Sequence, residues 1–546
     1  MPKDYRLTPE GTADTLFDEC AEQKKITGEL EKLFEAEGYR QVRTPGLEFL
    51  DVFASNADYY PKEAMFKFSD SKGRLVAMRP DNTVPIVRMT ATKLKGASLP
   101  IKLYYIQEVF RRQQEHRGRS TEILQAGIEL IGDTGFESDI AVLELAIKSL
   151  SAVYPGKFRI EIGHVGIFKR LLERLGAGEK DRDNIHSYIT AKNNSALYDI
   201  LEGYEENETR GLLKKVPRLF GGTEALDEAI VRFDGYDPEI NAMLEYLKKV
   251  LEALEDRGYG GKVMVDLGLV NQADYYSSIV FRAYGEGAGR PLLSGGRYDD
   301  FFSNFDTDLP AIGFGLDVDI VTEARLEARD AEVCEVRGAG SLRIALTKGR
   351  VERDFTKLLE KAGYDITPFA EKGRKLLFMV PGADIEIFLA KAPDVITYVE
   401  HGACDVGIVG KDTIAEAGGT YYEILDLGIG KCKFALAAPE GRRIFGGIGT
   451  RTIATKYPNV AERYFEAKGM DVDIIKIEGS VEIAPLLALA DGIVDIVETG
   501  NTLKENGLSI IEDIRQISSR LIVNNSSMKL RKKEIEGFVK KLEGVL

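Results

Sequence analysis

Residues 491–503 read Asp-Gly-Ile-Val-Asp-Ile-Val-Glu-Thr-Gly-Asn-Thr-Leu. The apolar run 493–497 predicts a buried strand that delivers Glu498, then the turn Thr499-Gly500-Asn501-Thr502, then a helix start. Backbone N–H groups in such a turn, aided by two threonine hydroxyls, suit a phosphate. Gly500 permits positive φ and close backbone approach. Glu498 is poorly suited to phosphate, since like charges repel, but well suited to accept hydrogen bonds from the two hydroxyls of a ribose. Phosphate cradle and ribose acceptor together describe a 5-phosphoribosyl site. A tight turn that caps a helix gives the same string, and the string alone leaves both readings open.

A second set of residues could face the first. Thr347-Lys348-Gly349-Arg350 follows the strand-like Leu-Arg-Ile-Ala-Leu, and Arg374 and Lys391 fall near further element ends, Lys391 directly before the helix-start signal Ala-Pro-Asp. Singly, each is an ordinary surface cation. Together they would hold a metal-bound diphosphate. The elements around them alternate: 384–390 as strand, 394–402 as helix, 405–410 as strand, 411–419 as helix, 451–455 as strand, 459–469 as helix, 472–478 as strand, 481–491 as helix and 492–498 as strand. That alternation predicts a mainly parallel sheet with helices on its faces, arranged as two lobes with a cleft. The first lobe takes about 342–430 plus 525–546 and the second about 431–524. In the closing segment Ile535, Phe538, Val539, Leu542 and Val545 share one helical face.

The chain has 546 residues, which at about 150 per domain suggests three to four domains. Its 73 basic and 88 acidic residues give a net charge of −15, against a general nucleic-acid coat. No apolar run reaches about 18 residues, so no membrane span is expected, and the opening Met-Pro-Lys-Asp-Tyr-Arg lacks a signal core, so a cytoplasmic protein is expected. The four cysteines (Cys20, Cys334, Cys404, Cys432) are dispersed and form no metal or disulfide pattern, and the four histidines (His116, His164, His186, His401) read as surface or core residues.

Residues 324–341 are charged, lack an apolar period and end in Gly-Ala-Gly-Ser, the composition of a flexible connector. Before it, a helix around Leu16, Cys20, Leu30, Leu33 and Phe34 ends near Gly38. Strand-like runs then follow one another at 74–80, 101–111, 123–132, 158–168, 261–268 and 278–287. Strands without intervening helices predict a predominantly antiparallel sheet, an α+β unit. Residues 166–260 have helical spacing and suit an inserted helical subdomain. The domains so read are 1–323, the connector 324–341, and 342–546.

Across about 341–546 the ordered strings Thr-Lys-Gly-Arg, Asp-Val-Ile-Thr-Tyr-Val-Glu-His-Gly-Ala-Cys-Asp-Val-Gly-Ile-Val-Gly-Lys-Asp, Arg-Thr-Ile-Ala-Thr-Lys-Tyr-Pro-Asn-Val, Glu-Gly-Ser-Val-Glu-Ile-Ala-Pro and Asp-Ile-Val-Glu-Thr-Gly-Asn-Thr-Leu resemble the catalytic subunit of ATP phosphoribosyltransferase in its short form. The resemblance implies a two-lobed α/β fold like that of periplasmic binding proteins. It implies that N1 of ATP attacks C1 of phosphoribosyl pyrophosphate in the first step of histidine biosynthesis. Asp495, Glu498, Thr499, Gly500, Asn501 and Thr502 would bind the phosphoribosyl group. Lys348, Arg350, Arg374 and Lys391 would act on the pyrophosphate, with Mg2+ on the diphosphate and no protein ligand for it identified. Where relatives often read Arg-x-x-Asp-Val, this chain has Lys391, which keeps the charge but loses the bidentate fork.

Residues 1–322 resemble the class II core of histidyl-tRNA synthetase, through Gly-Tyr-Arg-Gln-Val-Arg-Thr-Pro-Gly-Leu-Glu (38–48), Met-Arg-Pro-Asp-Asn-Thr-Val-Pro (78–85), Val-Phe-Arg-Arg-Gln (109–113), 118–129, Ala-Asp-Tyr-Tyr (273–276) and Gly-Gly-Arg-Tyr-Asp (295–299). The resemblance implies a histidine pocket of Asp81, Thr83, Arg111, Gln125, Glu129, Tyr275 and Tyr276. It departs at Asn271 and Val318, where the synthetases place arginines for activation and for ATP. The pair of resemblances implies a regulatory subunit fused to a catalytic one, inhibited by histidine, homo-oligomeric and independent of tRNA. A tRNA-aminoacylating protein and a non-catalytic two-lobed binder are the other readings of the same halves.

Overall fold

The computed structural model describes residues 8–54, 65–112, 120–269, 276–333, 340–370, 373–442, 444–445, 450–498 and 500–546. The chain divides into two compact units, 1–337 and 338–546. Among the described residues no helix is long and apolar enough to cross a membrane.

The first unit is built on a nine-stranded sheet. Its centre is antiparallel, in the order Ile101–Phe110, Glu122–Ile131, Ala311–Asp317, Leu293–Arg297, Ile279–Gly285 and Phe158–His164. Parallel pairing is confined to Arg40–Gln41 at one side and Val263–Asp266 at the other. Successive side chains in a strand point to opposite faces. Ala126, Ile128 and Leu130 therefore join Ile312, Phe314 and Leu316 in a core covered by the helices Phe17–Ala36 and Phe136–Val153. The opening helix is buried along Ile26, Leu30 and Phe34, whereas Leu16 and Cys20 are exposed.

Six helices, from Val165–Leu175 to Pro238–Leu254, fill the chain between Phe158–His164 and Val263–Asp266. They are an insert but not a separate subdomain, because Ile167, Leu213, Leu244 and Leu254 share one apolar core with the sheet. The strand expected over 158–168 stops at His164, whose Nδ1 accepts from the Gly166 N–H at 3.2 Å and so starts a helix. The segment expected to be a flexible connector from residue 324 is helical as far as Val333. Its charges have partners on the opening helix: Arg325 reaches Glu22 at 3.1 Å and Glu29 at 2.7 Å.

The second unit holds two sheets, one per lobe. The first runs Leu377–Met379, Ile385–Ala390, Leu342–Thr347, Val406–Gly410, Ser519–Val523, Tyr422–Asp426, and the second Val472–Lys476, Arg451–Thr455, Gly492–Val497, Cys432–Pro439, Leu508–Ile517. The first is parallel only among Ile385–Ala390, Leu342–Thr347 and Val406–Gly410, and the second only among Val472–Lys476, Arg451–Thr455 and Gly492–Val497 at one edge, so both are mixed rather than mainly parallel. Apart from Leu377–Met379 with Ile385–Ala390, every antiparallel pair of these two sheets involves Cys432–Pro439 or Ser519–Val523, the strands into which the chain leads when it crosses between lobes at 427–431 and at Ser518. Ser519–Val523 thus belongs to the first lobe, which places the return earlier than residue 525. The helix expected over 481–491 is one turn, Ile483–Leu486, ended by Ala488 at φ 57°.

The Gly-Gly-Arg-Tyr-Asp arginine is structural. Arg297, buried, donates to Asp139 at 2.8 Å, to the Ser138 hydroxyl at 3.0 Å, to the Asp133 carbonyl at 2.9 Å and to Asp299 at 3.0 Å. Arg297→Met strands Asp139 as a buried carboxylate, and denaturant melts should read a loss of about 3–5 kcal/mol.

Candidate active site and regulatory pocket

In the first lobe, Leu342–Thr347 and Ile385–Ala390 are parallel, with Thr347 opposite Ala390. Lys348 and Lys391 therefore leave the sheet side by side at the carboxyl ends of neighbouring strands. Leu377–Met379 runs antiparallel to Ile385–Ala390, and the Leu376 carbonyl accepts from the Leu389 N–H at 2.8 Å, which brings the turn carrying Arg374 to that same end. All three side chains are exposed. The carboxyl end of a parallel sheet is where open α/β folds bind ligands. Residues spread over 44 positions of sequence thus become one cationic edge because three strands end together.

The opposite lobe presents the loop read as a phosphate cradle. Gly492–Val497 carries Asp495 and ends at Glu498. Gly500 sits at φ 77°, in the left-handed region that glycine enters without strain, and starts the helix Asn501–Glu505. That helix is five residues long, so what it offers an anion is the N–H groups of its first turn rather than a summed dipole. Asn501 and Thr502 are exposed there; Thr499 lies outside the described residues. Burial pushes the Asp495 carboxyl up to about 6, reinforced by Glu482 and opposed by Lys456.

Several cross-lobe contacts were not foreseen from sequence, and two of them involve residues at the candidate site. The Arg350 guanidinium, at the first position of the helix Arg350–Lys361, is ion-paired with Glu498, so a residue assigned to the diphosphate and one assigned to the ribose hold each other across the cleft. The Tyr457 hydroxyl donates to Asp412 at 3.2 Å. Lys456, Tyr457, Asp412 and Glu482 join the candidate site, though each lies in a string that carried the resemblance. Their type alone gave no sign, because their roles depend on which strand ends meet.

In the first unit the pocket residues converge on the sheet face opposite the core. Glu129, fully buried, accepts the Thr83 hydroxyl at 2.8 Å and the Tyr298 hydroxyl. Gln125 accepts from Asn82 at 3.2 Å and from the Tyr105 hydroxyl at 3.3 Å. Gly313 lies directly beneath: a Cβ there would be 1.9 Å from a Glu129 carboxylate oxygen. Burial raises the Glu129 carboxyl to about 8; the two hydroxyls oppose that rise and Asp81 adds to it. Burial raises Asp81 as well, against the pull of Arg111, whose Nε donates to the Pro80 carbonyl at 2.8 Å. Tyr276 is buried beside them; Tyr275 and Asn271 lie outside the described residues. Tyr105, Asn82 and Tyr298 complete the ring and were not singled out from sequence. Val318 is fully buried in the apolar core.

Two family models match the chain, "Histidyl-tRNA synthetase" over residues 11–321 and "ATP phosphoribosyltransferase" over residues 391–544. The ATP phosphoribosyltransferase of Clostridium kluyveri is 56% identical over 206 residues, 38% of this chain and 94% of that protein. The ATP phosphoribosyltransferase regulatory subunit of Ruminiclostridium cellulolyticum is 38% identical over 322 residues, 59% of this chain and 76% of that protein. A crystal structure of an ATP phosphoribosyltransferase regulatory subunit/histidyl-tRNA synthetase from Bacillus halodurans superposes with TM-score 0.55 at 29% identity, covering 72% of this chain and 94% of that one. With a class II core before residue 337 and a two-lobed transferase after it, the chain belongs to the histidyl-tRNA synthetase family over its first unit and to the ATP phosphoribosyltransferase family over its second, and it is an ATP phosphoribosyltransferase, the enzyme of the first step of histidine biosynthesis, with regulatory and catalytic parts fused in one polypeptide.

Proposed function

We propose that the cleft of the second unit transfers the phosphoribosyl group of phosphoribosyl pyrophosphate to N1 of ATP, and that the pocket of the first unit binds histidine as the feedback inhibitor. The observation that carries the reading is the ion pair of Arg350 with Glu498, which joins the start of the helix Arg350–Lys361 in one lobe to the end of Gly492–Val497 in the other. Glu498 accepts the ribose hydroxyls. The N–H groups from Gly500 onward, with Asn501, Thr499 and Thr502, hold the 5-phosphate. Lys348, Arg374 and Lys391 take the charge that accumulates on the departing diphosphate. Arg350 exchanges partners: sugar hydroxyls on Glu498 release its guanidinium toward the diphosphate. Adenine N1 is a weak nucleophile, so alignment against C1 and charge stabilisation at the leaving group account for the rate. Mg2+ supplies further neutralisation when bound to the diphosphate. The edge that faces the diphosphate is made of lysine and arginine, a donor set that suits a metal held by the substrate's oxygens. The exposed carboxylate of Glu498 and the half-buried one of Asp495 lie on the ribose side.

Asp81, Gln125 and Glu129 present carboxylates and an amide to the amine and imidazole N–H groups of histidine, with Thr83, Arg111, Tyr275 and Tyr276 around them. The buried Val318 leaves ATP without its expected cation, which supports sensing rather than activation and a role apart from tRNA. By analogy with the assemblies of separate catalytic and regulatory subunits, we take the chain to be a cytoplasmic homo-oligomer.

The direct test is incubation with ATP, phosphoribosyl pyrophosphate and Mg2+, with and without histidine. Phosphoribosyl-ATP should form and histidine should suppress it; no product under any condition rejects the enzyme, and histidine-dependent pyrophosphate–ATP exchange would reinstate a ligase. Glu498→Ala should lower kcat/KM about a hundredfold, far more than Asp81→Ala. Gln125→Ala should raise the histidine concentration for half-inhibition roughly 5- to 150-fold, the usual span of such couplings, with uninhibited turnover kept. The raised Glu129 carboxyl also sets a pH dependence. Its contribution to stability is complete below the ordinary value of 4.5 and is lost as pH rises through about 8. Glu129→Gln removes that loss, so its melting temperature should gain on the parent's between about pH 5 and about pH 8.

A further inference from the structure

A buried ion pair ties the helical insert to the sheet beside the regulatory pocket. Lys192 stands in the turn between the helices Glu179–Thr190 and Asn194–Leu201, at φ 54°, the left-handed region that favours glycine. Its side chain is buried, and Nζ donates to Asp266 at 3.2 Å and to the Gly268 carbonyl at 3.0 Å. The other oxygen of Asp266 accepts from the Gly268 N–H at 2.8 Å. The insert grips the same turn from a second side: the Leu267 N–H donates to the Leu219 carbonyl at 3.0 Å, and a Cβ at Gly268 would lie 2.9 Å from the Pro217 Cα. The next residue, Leu269, is buried in one apolar cluster with Tyr105, Tyr276 and Tyr298, the aromatic wall of the pocket.

Neither feature is what packing alone would select. Two apolar side chains of similar volume commonly stabilise a buried site as well as an ion pair does, or better. The left-handed φ at Lys192 ends the helix Glu179–Thr190, where the Asn193 N–H closes on the Tyr188 carbonyl at 2.8 Å, and a lysine paired with Asp266 stands there in place of the usual glycine. What the pair adds over an apolar contact is direction: three hydrogen bonds fix the turn 266–268, and with it the position of Leu269.

We propose that Lys192 is a positioning residue of the histidine pocket, through which the helical insert sets Leu269 against the tyrosine wall and so tunes the affinity for histidine. The inference rests on the reading of the Asp81–Glu129 pocket as a histidine site. It assigns the insert a regulatory role: any change in how its helices pack is passed, by the Lys192–Asp266–Gly268 link, to a wall of the sensor.

The test uses the full-length chain, with histidine titrated calorimetrically and thermal melts recorded in parallel. Lys192→Met leaves Asp266 buried beside an apolar neighbour and is the variant that risks misfolding. Lys192→Met/Asp266→Asn removes both charges at nearly constant volume. The double variant should melt with the parent and keep its uninhibited turnover, yet bind histidine roughly tenfold more weakly, with inhibition displaced by the same factor. Leu269→Ala, which keeps the ion pair, should weaken histidine comparably. A plain structural brace would instead return affinity together with stability. A folded double variant, or Leu269→Ala, with the parent's histidine affinity overturns the proposal. A parent chain that binds no histidine overturns the pocket assignment itself, which is a different result from unchanged affinity in the variants.

Discussion

The alternation of side chains along Glu122–Ile131 is the constraint on which the first unit turns. Burying Ala126, Ile128 and Leu130 beneath the helices obliges Gln125, Gly127 and Glu129 to stand on the other face. The neighbouring strand Ala311–Asp317 obeys the same rule in register, so Gly313 comes opposite Glu129 and Gly315 opposite Gly127. A slip of one residue would put carboxylates into the apolar core and leucines into the pocket. The position of the pocket is therefore a consequence of the position of the core. The unusual state of Glu129 follows in turn, since a carboxyl on that floor is out of water and its charge is held mainly by two hydroxyls.

In the second unit the organising fact is where strands end. Lys348 and Lys391 are neighbours because Thr347 and Ala390 are paired, and Arg374 joins them because an antiparallel strand begins where those two stop. In the other lobe Thr455 lies opposite Val494, which brings Lys456 to the level of Asp495. Each lobe supplies an edge of one character, cations on one side and a glycine turn with carboxylates on the other. The chain connects them by two short crossings that leave the cleft between. The ion pair of Arg350 with Glu498 is what such complementary edges do to each other.

On the proposed reading, the two units divide a task that one free energy must link. If histidine weakens the hold of the catalytic cleft on its substrates, the substrates weaken the hold on histidine by the same factor.

Much of this was open to reading from sequence. Ordered motif strings identify both units, because such strings encode turns, strand ends and the side chains that leave them. Period-two runs locate Ile101–Phe110 and Glu122–Ile131, and the turn at Gly500 is legible because glycine marks a positive φ. What depends on pairing was not legible. Local periodicity carries no strand direction, so mixed sheets read as parallel. The charged stretch after residue 324 read as a connector because the carboxylates that neutralise Arg325 lie some 300 residues earlier, at Glu22 and Glu29. Tyr105 reaches Gln125, Tyr298 reaches Glu129 and Lys192 finds Asp266 across separations that a linear pattern does not encode. Residue types and their spacing determined which chemistry this chain carries. Tertiary structure decided which of those groups meet, because contact between distant residues is set by strand register and by the burial of the core.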